Sequence, residues 1–443
     1  MTENMNVSFI MMAFRGIIRK LGLRRLLFLL FASFFLMLVL HSSMKPNVRD
    51  MLELNKCPAC YGVSLCNDIL QGPDEISIKF DFWGRLGLLA NTFATKNVYS
   101  GWFNHQRVII KRLGHDFELQ NMDSSICQAM KIDNSCNDQM KSVVFKVISM
   151  RNSVERLLNE SANLNDYRLR LCPSTEHVDT LFSPILPKTN GTNSVKLGND
   201  PITANIWTLL LINPEPLLLQ IMRAEDGWPV PHYLGACGRI AVALNAGEPL
   251  IDYHRKSWPE RAGLALQLLL AADRFTYSHP RFAFYLLDAS ADNVVVNDQG
   301  KLSFIDLEHF VVVDRHPSSV PDMWNETHFS ELYMDCPGCN TFSPYNICNH
   351  HISDHNHFMI CQQLLAPGVG SNDNYLPGGL LHSFPPEIQK EYPQMEHFLN
   401  ECSTGASTDH IKSARRLRDI LNIASKESPL FGDSTLVNTW KYF

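Results

Sequence analysis

Several things are scarce or missing along these 443 residues, and each narrows the field. Cationic charge is scarce: 39 Lys and Arg face 45 Asp and Glu, a net charge of −6. Five cations (Arg15, Arg19, Lys20, Arg24 and Arg25) crowd into the first 25 residues against Glu3 alone; taking that +4 from the total leaves −10 on the rest. Nucleic acid is excluded as a partner, since binding it requires a basic face. There is no internal repeat and no long low-complexity tract, so neither a solenoid nor a disordered chain is in view. Residues 133–140 have the acids of a calcium loop but not its central glycine or final glutamate, which excludes an EF-hand. Glycine is thin where a phosphate-covering loop would need it: Trp83-Gly84-Arg85-Leu86-Gly87 supplies two, which a plain turn accounts for as well.

What is present begins with hydrophobicity, 45% of residues, ample for a core of one large or two small domains. Residues 26–40 (LLFLLFASFFLMLVL) form a fifteen-residue apolar run directly behind Arg24-Arg25. A basic flank followed by such a run reads as a signal-anchor or signal peptide, with the flank cytosolic and everything from His41 onward lumenal. No clean small-x-small cleavage site follows, and a span this short suits the thinner membranes of the early secretory pathway. Behind it stand twelve cysteines, an even number that permits complete pairing in an oxidising compartment. Asn159, Asn190 and Asn325 open glycosylation sequons consistent with that compartment.

Residues 42–75 form a Cys-rich stem carrying Cys57-Pro-Ala-Cys60 and Cys66, expected to be cross-links rather than zinc ligands. Strand patterns follow at 76–82, 97–103 and 106–112, the last placing Lys111 after a β-branched run. Residues 117–130 have helical spacing, and Glu118 or Asp123 is placed to reach back to Lys111. Residues 151–200 read as a polar insertion. Gly238 to Leu244 reads as a buried strand leading to Asn245-Ala246-Gly247-Glu248, and Ser257-Trp-Pro-Glu260 is a capping box opening a long buried helix. Cys336, Cys339 and Cys348 with His350, His351, His355 and His357 have zinc-like composition, although disulfides to Cys361 or Cys402 are the preferred expectation. An amphipathic helix at 411–424 closes the chain.

The chemistry concentrates in residues 285–308, YLLDASADNVVVNDQGKLSFIDLE. An apolar run delivers Asp288 to a loop, and Asn293 follows. Val294 to Val296, the turn Asn297-Asp298-Gln299-Gly300 and the return from Leu302 to Ile305 then read as a β-hairpin ending in Asp306. A hairpin brings its far end back to its start, so Asp288, Asn293 and Asp306 converge. Asn293 and Asp306 are hard oxygen ligands for Mg²⁺ or Mn²⁺ holding phosphate oxygens, and Asp288 can accept a hydroxyl proton.

This spacing resembles the catalytic segment of protein kinases. With CPACYGVSLC, FWGRLGLL, KNVY, VIIKRLG, GWPVPHYLGACGR and LLDASADN, most of the chain after the apolar run resembles the divergent protein kinase domain family, in its Deleted in Autism branch. The resemblance implies an α+β, two-lobed protein-kinase-like fold behind an N-terminal membrane or signal segment and a Cys-rich stem. It divides the chain into a basic tail (1–25), the anchor or signal (26–41), the stem (42–75), a first lobe with an insertion (76–247) and a second lobe with a Cys/His-rich insertion (248–443). It assigns catalytic roles to Asp288 and Lys111, nucleotide contacts to Lys111, Glu118, Asn293 and Asp306, and the metal to Asn293 and Asp306, with ATP and Mg or Mn as the implied cofactors. The implied setting is the Golgi or endoplasmic reticulum lumen, with secretion or a type II membrane topology, and the implied partners are secretory-pathway or extracellular proteins, a cell-surface receptor among them. Two departures weigh on activity: Leu286-Leu287 stands where His-Arg precedes the aspartate, and Asp306-Leu307-Glu308 replaces D-F-G. They favour a signalling and binding protein with weak or absent catalysis; the alternative is an active lumenal protein kinase.

Overall fold

The computed structural model describes residues 25, 27–29, 31–35, 48–57, 59–71, 77–78, 97–129, 169–185, 201–331, 343–366, 376–404 and 409–425. The chain divides into two compact units, Met1–Met51 with Phe80–Phe93 and Leu52–Lys79 with Ala94–Phe443. In the first, residues 27–29 and 31–35 are helical. Leu27, Phe28, Phe31, Phe34 and Phe35 are all more than half exposed there. Among the described residues no helix is long and apolar enough to cross a membrane. Most of that unit, including the glycine-poor turn at 83–87, lies outside the described residues, as do Cys336, Cys339 and the sequons at Asn159 and Asn190.

The second unit carries both lobes. Among its elements, in chain order, are strands β1 (Ser77–Ile78), β2 (Asn97–Phe103) and β3 (Gln106–Arg112), helix α1 (Asp116–Ala129), strand β4 (Leu169–Cys172), helices α2 (Pro201–Leu211) and α3 (Glu215–Ile221), and strands β5 (Tyr233–Cys237) and β6 (Ile240–Leu244). Strands β1-β2-β3-β6-β5 make one antiparallel five-stranded sheet. Val108, Ile110, Ile240 and Val242 are wholly buried there, as β-branched residues on a pleated inner face should be. Gly238 turns the chain between β5 and β6 at φ +61°, where a Cβ would strike the Leu52 carbonyl at 1.8 Å. That contact belongs to a set by which the middle of the expected stem packs on the first lobe. Arg239 N–H donates to Leu52 O, Tyr61 N–H to Gly238 O and Leu65 N–H to Ala236 O, and Cys66 bonds Cys237, so residues 52–71 are built into the first lobe.

Strand β7 (Glu248–Pro249) leads into the second lobe, organised by helix α4 (Trp258–Tyr277). Ser257 and Glu260 form the expected capping box, the Ser257 N–H donating to Glu260 Oε2 at 3.0 Å. Leu264, Leu268, Ala272 and Phe275 are wholly buried along it, and Phe275 meets Phe304 and Phe310 edge to face. Then come β8 (Phe282–Leu286), β9 (Val294–Val296), β10 (Leu302–Phe304), β11 (Phe310–Asp314), the short parallel pair β12 (Thr327–His328) and β13 (Ile352–Ser353), and helices α5 (His355–Ile360), α6 (Met395–Ser403) and α7 (His410–Ala424). Two small sheets, β10-β9-β7 and β4-β11-β8, flank α4. Strand β4, from the insertion placed in the first lobe by sequence, pairs in parallel with β11 and is tied to the second lobe by Cys172–Cys348. A polar, punctuated stretch hides a four-residue strand whose only signal is its partner.

All nine described cysteines are disulfide-bonded, four pairs being Cys57–Cys60, Cys66–Cys237, Cys172–Cys348 and Cys361–Cys402. The expected partnership of Cys348 with Cys361 or Cys402 is therefore corrected, because β4 brings Cys172 beside it while α6 brings Cys402 to Cys361. No group of three metal-ligating side chains occurs among the described residues, and the nearby histidines bind backbone or carboxylates instead.

Candidate active site

Strands β9 and β10 form the hairpin read from sequence, with Phe304 opposite Val294. Asn297 Oδ1 accepts the N–H groups of Gln299 and Lys301, Gly300 sits at φ +74°, and Gln267 of α4 grips the turn through Gly300 O and Leu302 N. One more rung, Ile305 N–H to Asn293 O at 2.8 Å, sets Asn293 beside the start of Asp306. Both line a cavity of about 300 Å³. Asp288 does not line it; that carboxylate is exposed and accepts the Ser290 N–H at 3.2 Å.

The cavity's other wall comes from the first lobe: Val98, Ile109, Lys111, Tyr233 and residues 241–244. Ala241 and Ala243 line it with small side chains, and the linker Asn245-Ala246-Gly247 contributes a further wall. Gly247, at φ +126°, lies so close to the hairpin that a Cβ would fall 2.0 Å from Val296 O, so no side chain fits where this linker meets β9. Asn245 Oδ1 accepts the Gly247 N–H and stiffens the linker.

Lys111 is where the strand pattern puts it, but its partner is not Glu118. Its Nζ donates to both oxygens of Glu215, at 2.7 Å each, and lies 4.0 Å from Asp306 Oδ1. Glu215 is 5% exposed and Lys111 18%, so the pair is largely removed from water. Glu118 instead reaches back to the His115 N–H at 2.7 Å and caps the start of α1. Asp123, the other candidate, faces Lys56 at 3.9 Å. The reason is geometric: α1 begins five residues after Lys111, and Arg239 takes Asp116 in its first turn. Glu215 reaches the lysine from α3, 104 positions later.

Three further residues escaped the sequence. Glu215 Oε1 also accepts the Asp306 N–H at 3.2 Å, joining the lysine, helix α3 and the end of the hairpin. Asn213 Oδ1 accepts the Glu215 N–H at 3.0 Å while its Nδ2 donates to Glu308 Oε2 at 2.9 Å. Glu308, a departure from D-F-G, thus holds the residue that starts α3. The one available signal was Asn-Pro-Glu, an N-terminal helix pattern directly before an apolar run. Tyr233, half-buried beside this group, has its phenol pushed well above its ordinary range by burial and then by the Glu215 charge.

Asp306 adopts φ +60°. A left-handed backbone at a residue with a Cβ costs about 1–3 kcal/mol and persists only where its surroundings enforce it, here the bond to Glu215 and the end of the hairpin. The strain turns its carboxylate toward Lys111 and the cavity. Oxygen donors from Asn293 and Asp306, an ammonium, and apolar walls above suit a hard divalent cation with a phosphorylated, flat-ringed ligand.

The family model described as the protein-kinase domain of FAM69 matches residues 206–405, which include Glu215, Asp288, Asn293 and Asp306 but not Lys111. Divergent protein kinase domain 2A of Xenopus tropicalis is 35% identical, the match covering 84% of this chain and 87% of that relative. The Homo sapiens protein of the same name matches to the same extent. Divergent protein kinase domain 2B of Mus musculus is 26% identical over 90% of each chain.

Proposed function

The chain belongs to the divergent protein kinase domain family, and from that premise we propose that it binds a metal–nucleotide complex in the cavity and transfers a phosphoryl group to secretory-pathway proteins. The observation that carries the reading is the closed set Lys111–Glu215–Asp306, assembled from three distant parts of the chain. A binding module has no need of a buried ion pair aimed at a strained aspartate, since burying two charges is expensive and must be compensated.

In this reading Lys111, oriented by Glu215, contacts the phosphates nearest the sugar. Val98, Ile109 and residues 241–244 sandwich the base. Magnesium or manganese held by Asn293 and Asp306 supplies neutralisation of charge on the terminal phosphates. Asp288, exposed to an approaching protein, accepts the acceptor hydroxyl's proton as its oxygen bonds the γ-phosphorus and the bond to the β-phosphate oxygen breaks.

Four disulfides within one chain fit an oxidising lumen, and Asn325 is exposed as a glycosylated asparagine must be. The exposed apolar side chains at 27–35 suit burial in a bilayer behind Arg24-Arg25. Digestion of the C-terminal part on sealed microsomes without detergent would sink this topology.

The second reading, a signalling and binding protein with weak or absent catalysis, draws on Leu286-Leu287 before Asp288. Thermal unfolding of the full-length protein with ATP and Mg²⁺ or Mn²⁺ separates the two. Nucleotide at about 100 times its dissociation constant stabilises the native state by roughly 2.7 kcal/mol. That shift should vanish in Asp306→Ala, and phosphate transfer in Asp288→Ala. No shift with either metal in the unaltered protein ends the phosphotransferase reading.

A further inference from the structure

Strand β8, which leads to Asp288, lies at the edge of its sheet, paired on one side only with β11. Leu287 N–H donates to His309 O, so the alternation of an antiparallel ladder turns the polar groups of Leu286 and Phe284 away from β11. These residues are buried, and an unpaired backbone group there would cost about 1–3 kcal/mol. Side chains at the start of α5 meet them. Asn356 Oδ1 accepts the Leu286 N–H at 3.0 Å, and its Nδ2 donates to Phe284 O at 2.8 Å and to Thr276 Oγ1 of α4 at 2.9 Å. His355 Nε2 lies 2.7 Å from Leu286 O, and since a carbonyl can only accept, that nitrogen carries the proton. Both side chains are wholly buried.

Resting on the phosphotransferase reading, we infer that His355 and Asn356 are positioning residues for catalysis: they clamp both backbone groups of Leu286, two residues before Asp288, and so fix the loop that presents Asp288 and Asn293. The two leucines before Asp288 have no side-chain polar group with which to anchor the loop themselves. The clamp acts instead on their backbone, and Asn356 joins it to α4 through Thr276. Ser353 N–H adds a third tie, donating to Tyr285 Oη at 2.9 Å. Burial holds the His355 imidazole down at about 4, which keeps the single donor in place across the range from neutral to mildly acidic.

The test compares full-length protein with His355→Leu, Asn356→Leu and His355→Gln, the last retaining a side-chain N–H donor. Hydrogen exchange of the segment 284–293 and steady-state phosphate transfer from ATP are measured together. The clamp predicts that both leucine variants speed exchange in that segment but not in the first-lobe sheet. It also predicts that kcat falls on the order of 10- to 100-fold with KM for ATP little changed, and that His355→Gln restores most of both. Unchanged kcat in folded leucine variants overturns the inference, as does faster exchange spread evenly over the lobe. If the unaltered protein transfers no phosphate, the phosphotransferase reading fails and takes the catalytic role with it; the clamp alone then stands or falls on local exchange.

Discussion

Helices α1 and α3 both follow the Lys111 strand with acids in their first turns, yet the acids of one pair with surrounding cations of the first lobe and the acid of the other lines the cavity. Helix α1 spends Asp116 on Arg239 and Arg112, Glu118 on its own N-terminus and Asp123 on Lys56. Helix α3, seven residues long, buries Glu215 against the lysine. An acid close in sequence is easily found, but an acid taken out of water is retained only where a cation and further donors compensate it. Glu215 has both: Lys111 on its two carboxylate oxygens and the Asp306 N–H on Oε1.

The contrast breaks most severely at Glu215. Replacing it by alanine strands Lys111 and should cost about 3 kcal/mol, the low end for a broken buried pair because the lysine retains some solvent. The nucleotide-dependent thermal shift should disappear as well. Asp123→Asn, measured alongside in urea, should retain that shift in full.

Asn213→Ala comes next. It removes the acceptor at the start of α3 and the donor to Glu308, for an expected loss of about 1–2 kcal/mol, with nucleotide affinity weakened but measurable. An unchanged affinity would mean that Glu308 and Asn213 merely pack. Glu118→Ala sharpens the comparison from the other side: losing the acceptor for the His115 N–H at the start of α1 should cost about 1 kcal/mol, and the nucleotide shift should be intact. A lost shift would restore Glu118 to the site.

The smallest effects concern pH within α1. The hydrogen bond from Arg239, with the charges of Arg239, Arg112 and Lys56, outweighs burial and holds Asp116 below its ordinary value of 3.8. Its folded value is depressed, so its contribution is present above 3.8 and is lost as pH falls through the lower folded value. Being 71% exposed, it is worth only a few tenths of a kcal/mol. Burial raises Asp123 against the weaker pull of Lys56, so its charge is a cost at neutral pH that acidification relieves. Urea midpoints should therefore fall less steeply below about pH 4 for Asp116→Asn than for the unaltered protein. For Asp123→Asn they should lie slightly higher near pH 7, and that gain should shrink on acidification.

The same distinction separates what sequence could reveal from what it could not. The hairpin from Val294 to Phe304, the capped α4, the β3 strand ending near Lys111 and the approach of Asn293 to Asp306 all follow from spacings of a few residues, where turn chemistry and periodicity act directly. Membership in the kinase-like fold was legible in the same local motifs. The partner of Lys111, the union of β4 with β11, the incorporation of residues 52–71 into the first lobe, the pairing of Cys172 with Cys348 and the clamp on Leu286 were not. Each joins segments far apart in the chain, and each is selected by burial: a carboxylate, a strand edge or a backbone carbonyl excluded from water takes the partner that the completed core brings within hydrogen-bond distance. Sequence alone determined which local elements form and which oxygen and ammonium groups they carry; only the packed tertiary structure decided which of those groups meet, because the cost of leaving them unpaired arises only once water has gone.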